Sequence, residues 1–198
     1  MAEERDDRNV YRNAVVGATE NPLITDPDEL DEAFAAAANR TLEAAATLAR
    51  ALVGTHQAAA TLIVEGDWAS VRKYFSLSEK YAAWADYRTP AKGFGTHAWF
   101  LGHNRPVRLT QAELEAHPAW QGFGPEAGRH PPMRGWLAAP LRDRQGKNWG
   151  LLQLSDKLVG DFTQSDEHRL AQLAGLVSET LEALWEVRTL RKGLPRTP

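Results

Sequence analysis

Two apolar runs, WLAAPLRD at 136–143 and NWGLLQLSD at 148–156, stand on either side of RQGK. A short glycine-containing break between two such runs makes a β-hairpin, and a hairpin this apolar has to be covered by other layers of the chain. Pro140 cannot donate to a ladder, so its strand lies near a sheet edge or carries a bulge.

Covering elements are legible at both ends. TDPDEL at 25–30 is a helix start: Asp26 caps, Pro27 suits the first helical position and Glu29 reaches back to the cap. Leu30, Phe34, Ala38, Thr41, Ala45, Leu48 and Leu52 then recur every three or four residues and predict one amphipathic helix ending near Gly54. A second long helix is predicted from about Ser165 to Arg191. Leu170, Leu173, Val177, Leu184 and Val187 form one stripe on it, and Leu176, Ala183 and Leu190 another, so it meets two neighbours.

Between them, HQAAATLIVEGDW (56–68) reads as a strand running into a turn at Glu65-Gly66-Asp67, with VRKYFSLS (71–78) as its hairpin partner. SEKYAAWADY (78–87) reads as a short helix opened by Ser78, with Tyr81 and Trp84 on one side. Gly93 and Gly95 break the chain before THAWFLG; PVRLT (106–110) is a brief strand, and TQAE at 110–113 fits a capping box. Strands between terminal helices predict an antiparallel sheet with segregated helices, an α+β domain. Residues 1–24 read as an N-terminal arm, 25–191 as the domain and 192–198 as a short tail.

Composition narrows the function. A net charge of −3 lacks the footprint of nucleic-acid binding. No run of about 18 apolar residues could span a membrane. MAEERDDR is no signal peptide, and the expected compartment is the cytoplasm. The absence of cysteine excludes disulfides, a thiolate nucleophile, cysteine-bound zinc and thioether attachment of a tetrapyrrole. Six of seven tryptophans (Trp68, Trp84, Trp99, Trp120, Trp136 and Trp149) lie mid-chain. Two of them lie within the stretch HPAWQGFGPEAGRHPPMRGW (117–136), whose four glycines and four prolines forbid a long helix or strand.

The segment MRGWLAAPLRDRQGKNWGLLQLSDKLVGDFTQSDEHRLAQLAGLVSETLEAL resembles a GAF domain. Hairpin, glycine-containing turn and closing helix stand in the family's order. Its motif Asn-Lys, then Phe-x-x-x-Asp-Glu, is matched by Asp156-Lys157, Phe162 and Asp166-Glu167. Asp156 stands where cyclic-nucleotide-binding members carry Asn. The resemblance covers roughly residues 28–188, and SLSEKYAAW, RPVRLTQAELEAHPAW and HPPMRGWLAAPL are similar to sensor segments attached to bacterial histidine kinases. The motif also has a purely structural reading. Thr163 can cap the last helix, Asp166 and Glu167 suit its first turn, a Lys157–Asp166 pair would tie the hairpin to it, and Phe162 would plug the corner.

The resemblance implies a GAF-like, PAS-related sheet with N- and C-terminal helices on one face and a lidded small-molecule pocket on the other. Alternation then turns Leu152 and Leu154 to the helices, and Trp149, Leu151 and Gln153, with Trp136 and Ala138, to the pocket. Trp120, Phe123, His130 and Met133 would close over them as a lid, beside Tyr81, Trp84, His97 and Phe100. His97, His103, His117 and His130 share neither a helix face nor a His-Glu-x-x-His spacing, which argues against haem or a metal. An anionic metabolite fits better, with Arg105, Arg108, Arg129 or Arg134 as partners.

No nucleophile-elbow context is present. The family's methionine sulfoxide reductases and bilin-carrying light sensors work through cysteines, so a covalently linked bilin is excluded and no catalysis is expected. The chain thus reads as a non-catalytic sensory or regulatory module that binds a small molecule and signals through dimerising terminal helices. The alternative is a dimerisation scaffold with a collapsed pocket and no ligand. The stripe of Leu176, Ala183 and Leu190 predicts a homodimer on either reading. The tail RTLRKGLPRTP carries no output domain, so the receiver would be a separate protein such as a histidine kinase, or part of a longer chain.

Overall fold

The computed structural model describes residues 27–63, 72–86, 95–120, 122 and 130–193. Helix α1 (Pro27–Val53) leads into strands β1 (Thr55–Leu62) and β2 (Arg72–Leu77), then a 3-10 turn over Glu79–Trp84. Helix α2 (Gly95–His103), β3 (Val107–Leu109), α3 (Gln111–Ala116), β4 (Trp136–Arg142), β5 (Asn148–Lys157) and α4 (Gln164–Gly193) follow. The strands form one sheet in the order β2-β1-β5-β4-β3, each neighbouring pair antiparallel. This is the α+β arrangement expected. Asp26, the turn at Glu65-Gly66-Asp67, Gly93 and Phe123 lie outside the described residues.

Local chemistry sets the element ends. Gly54 stops α1 in a left-handed conformation, φ 73°, and its N–H returns to the Arg50 carbonyl at 3.1 Å. The predicted capping box opens α3: Thr110 Oγ1 accepts from Glu113 N–H at 3.3 Å, and Glu113 Oε2 accepts from Thr110 N–H at 2.8 Å. Helix α4 opens the same way with an aspartate. Thr163 Oγ1 accepts from Asp166 N–H at 3.3 Å, while Asp166 Oδ2 accepts from Thr163 N–H at 2.7 Å. Lys157 Nζ donates to that same oxygen at 2.5 Å and ties the end of β5 to the helix, over a buried Phe162. Burial pushes the Asp166 carboxyl up, but Lys157 and Thr163 outweigh it and hold it below its usual value.

Helices α1 and α4 cover one face of the sheet. Ala38, Ala45, Ala46 and Ala49 let α1 lie close against Ala58 and Ala60 of β1, and Leu170, Val177 and Leu181 of α4 pack with Leu137, Leu152 and Leu154. The buried line on α1 runs Ala38–Leu42–Ala45–Ala49–Val53, so Leu48 and Leu52 are 52% and 43% exposed rather than core. At about 100° per residue Leu48 and Leu52 stand roughly 80° and 40° to one side of Ala38, while Leu42, Ala49 and Val53 stand to the other, the side the sheet covers. On α4 Leu181, absent from either predicted stripe, is buried, and Val187 is 47% exposed.

One face assignment is reversed. Leu141 pairs with Gly150 but Arg142 pairs with Asn148, leaving Trp149 as the extra residue of a bulge. The slip turns Trp149 to the helix side, where its ring meets Trp185 at 6.3 Å and its N–H donates to Asp143 Oδ2 at 3.1 Å. Leu151 and Gln153 keep the face that alternation predicts. Pro140 sits where the sheet is locally an edge, because β3 pairs with β4 only from Trp136 to Ala138.

Gly150 permits this packing: a Cβ there would stand 1.9 Å from the Thr61 carbonyl oxygen. Gly150→Ala is therefore expected to destabilise the fold by about 3 kcal/mol in urea unfolding. Gly175→Ala, in α4 with nothing within 4 Å of the added carbon, is expected to stabilise it by roughly 0.5–1 kcal/mol. Equal effects at the two sites would contradict this packing.

Candidate functional site

The sheet's second face carries the alternate residues: Gln57, Ala59 and Thr61 of β1, Lys73 and Phe75 of β2, Trp136 of β4, and Leu151 and Gln153 of β5. Helices α2 and α3 and the loop 130–135 lie over it. Phe100 of α2 and Leu114 of α3 pack with Trp136, Ala138 and Leu151, and Trp120 and Met133 lie against that cluster.

Gln153 is the polar centre. Its Oε1 accepts from Trp136 Nε1 at 3.2 Å and from His97 Nε2 at 2.9 Å. An acceptor at that distance selects the Nε2–H tautomer of His97. The Trp136 ring meets His97 edge-on at 6.4 Å and Phe100 at 5.5 Å. Burial, helped by the nearby Lys73 charge, pushes the His97 pKa down to about 3, so its ring is neutral at physiological pH. His130 is pushed down to about 4, again chiefly by burial. Its Nδ1–H donates to the Pro131 carbonyl at 2.6 Å, and its ring meets Phe75 edge-on at 6.3 Å.

The described part of the loop is pinned to the sheet. Gln57 Nε2 donates to the Pro132 carbonyl at 2.6 Å, and Arg134 N–H donates to Ser155 Oγ at 2.8 Å. Gly135 N–H donates to Gln111 Oε1 at 2.8 Å. Between Gln57, Phe75, His130, Met133, Trp136 and Gln153 lies a void of about 10 Å³, room for about one water.

The predicted residues thus divide. His97, Phe100, Trp120, His130, Met133, Trp136 and Gln153 come together; Trp149 is on the helix side. Tyr81 and Trp84 meet at a tilt, ring centres 5.7 Å apart, beside the end of β5, where Tyr81 O–H donates to Asp156 Oδ2 at 2.6 Å and Lys80 binds the same oxygen. Burial raises the Asp156 carboxyl, but Lys80 and Tyr81 outweigh it and hold it low. Asp156 adopts φ 57°, a conformation that short polar side chains tolerate. Ser78 does not cap the 3-10 turn; its hydroxyl meets His56 Nδ1 at 2.8 Å.

THAWFLG forms α2, on which Trp99 stacks on His103 at 4.7 Å and touches His117 at 4.3 Å. Those two histidines are packing partners of an indole. Among the described residues no three His, Asp or Glu side chains are placed to share a metal ion, and no helix is long and apolar enough to cross a membrane. Of the arginines considered for an anion, Arg108 is taken on the helix side by Glu167 and the Phe162 carbonyl, each at 3.3 Å. Arg105 and Arg134 are exposed, and Arg129 lies outside the described residues. Lys73 is the chamber-face cation that sequence reading missed: in VRKYFSLS it is one of two alternating sets, and only pairing with β1 shows which set faces the chamber.

A larger hollow, about 590 Å³, opens between α1, α4 and the β4–β5 turn. Its Glu182 and Glu186 are already paired with Arg144 at 3.5 and 3.2 Å, and Arg188 lies over its Trp185 ring at 4.3 Å. Those groups are engaged within the protein, which leaves the loop-covered face as the candidate site.

The GAF domain family matches residues 19–181. The fold is similar to the GAF domain from a phosphoenolpyruvate-protein phosphotransferase of Coxiella burnetii, with a TM-score of 0.58 and 19% identity over 82% of this chain and 94% of that one. Type II free methionine-R-sulfoxide reductase from Thermoplasma acidophilum is similar at 0.55 and 15%, over 78% and 96%. The second GAF domain of DevS from Mycobacterium smegmatis is similar at 0.54 and 14%, over 77% and 99%. At these identities the likeness is one of fold.

Because folding holds His97 and His130 neutral below the ordinary 6.5, the unfolded chain binds more protons between pH 6.5 and about 4. Stability should fall as pH drops through that window, by about 1.4 kcal/mol per pH unit per histidine. Urea midpoints measured across it should show a shallower acid slope for His97→Asn than for the unaltered protein; equal slopes would contradict a neutral His97 held by Gln153.

Proposed function

The chain belongs to the GAF domain family, and on that footing we propose that it is a non-catalytic sensory or regulatory module, binding a small molecule between the sheet and the loop 130–135. GAF domains generally act as regulatory or sensory modules that bind small molecules. What carries the reading here is the convergence of Trp136 and His97 on one Gln153 oxygen inside a chamber walled largely by aromatic and aliphatic side chains. A few placed polar groups in an apolar concavity are what orients a small ligand. On this reading His97, Phe100, Trp120, His130, Met133, Trp136 and Gln153 contact the ligand, with Tyr81 and Trp84 framing the end of the chamber.

Since the void admits about one water, a ligand must lift the loop and break the Gln57–Pro132 and Ser155–Arg134 bonds. Gln57 and Ser155 lie on the strands whose next residues, Ala58 and Leu154, carry α1 and α4. The signal is a ligand's different affinity for two arrangements of those helices. Leu176, Ala183, Val187 and Leu190 follow heptad spacing along the exposed side of α4, Leu176 and Leu190 being 63% and 70% exposed, and form the homodimer seam.

The small void also favours a second reading, a dimerisation scaffold whose chamber is collapsed. Native mass spectrometry of the purified protein separates the two. A retained small mass supports sensing; a clean apo dimer that metabolite screens leave unchanged supports the scaffold. On both readings light scattering gives a dimer, and Leu176→Glu with Leu190→Glu gives a monomer. Only monomer for the unaltered protein at high micromolar concentration would overturn the seam.

A further inference from the structure

Thr61 and Lys73 are direct cross-strand partners, one rung beyond the Ala59–Phe75 pair that floors the void. Both belong to the chamber face, because the intervening Ala60, Leu62 and Tyr74 pack on the helix side. Side chains so paired on one face stand about 5 Å apart at Cβ. Thr61 is 1% exposed, yet among the described residues its Oγ1 has no hydrogen-bond partner. Buried hydroxyls are ordinarily bonded, so one that is not points to something missing from its surroundings. Lys73 directs its ammonium over the Phe75 ring at 4.7 Å and forms no ion pair among the described residues. The titratable groups that act on one another across this face are Lys73, His97 and His130, and the two histidines are neutral. Burial alone pushes Lys73 down to about 8, which is what an uncompensated cation does.

We propose that Thr61 and Lys73 together form the recognition point for the carboxylate of a small ligand with an apolar body, a proposal that rests on the chamber reading above. Two donors side by side, one charged, match the two oxygens of a carboxylate. A phosphate dianion would bring a second negative charge, which a single ammonium does not balance. The body of the ligand lies against Phe75, Met133 and Trp136, whose surfaces are apolar or aromatic.

The experiment is calorimetric titration of the full chain with benzoate, acetate and the neutral isostere benzamide. Benzoate or acetate should bind saturably, and at least about tenfold more tightly than the amide. Lys73→Met should remove that preference. Thr61→Val should weaken carboxylate binding yet raise the thermal midpoint of the free protein, because it removes an unbonded buried hydroxyl; that readout holds even if Lys73→Met folds poorly. If benzamide binds as well as the carboxylates, or if Thr61→Val leaves carboxylate affinity unchanged, the chamber reading survives and the recognition point falls. If none of the three binds while native mass spectrometry shows a retained small mass, the recognition point falls and the chamber reading survives; if none binds and no mass is retained, both fall.

Discussion

The backbone of Gly150 lies so close to the Thr61 carbonyl that no side chain fits between them, and the division of the sheet into two unlike faces depends on that contact. It seats β5 on β1, and the bulge beside it sends Trp149 to the helices while Leu151 and Gln153 stay on the other side. A slip of one residue would exchange the two sets and put Gln153 under α1 and α4. Glycine at 150 is thus a condition of the candidate site, although it brings no side chain to it.

The two faces then follow different rules. On the helix side, alanines and leucines close the layer, and the polar groups within it are satisfied locally, as Asp166 is by Lys157 and Thr163. On the loop side, rings surround Gln153, two neutral histidines and a cation with no carboxylate beside it among the described residues. A face built only for stability gains nothing from a buried hydroxyl without a partner or from a half-buried ammonium with no anion. The asymmetry is the physical ground for placing function on the loop side, and the strands between the faces connect that side to the helices.

What could be read from the sequence was what short-range chemistry determines. The Thr110 and Thr163 caps, the Gly54 stop and the hairpin around RQGK each depend on residues within a few positions, and each stands where expected. The Asp156–Lys157–Phe162–Asp166 set was legible as a structural tie for the same reason. Helix α2 was not, because THAWFLG mixes rings, glycine and histidine without a period. Trp149 was misplaced because a bulge leaves no mark in alternation, and Leu48 and Leu52 because steps of three and of four both fit an apolar helix pattern and the sheet covers the adjacent set. Thr61 and Lys73 escaped because their meaning is a pairing across strands joined through residues 64–71, and neither strand alone says which face is which.

The central claim is that the loop-covered face is made to receive a molecule rather than merely to be filled. Its most direct measurement is difference electron density in crystals of the full chain soaked in benzoate. The account predicts a planar feature with its carboxylate against Lys73 and Thr61 and the loop 130–135 displaced from Gln57. An unshifted loop over a single ordered water, with the rings interlocked at every benzoate concentration, would contradict it.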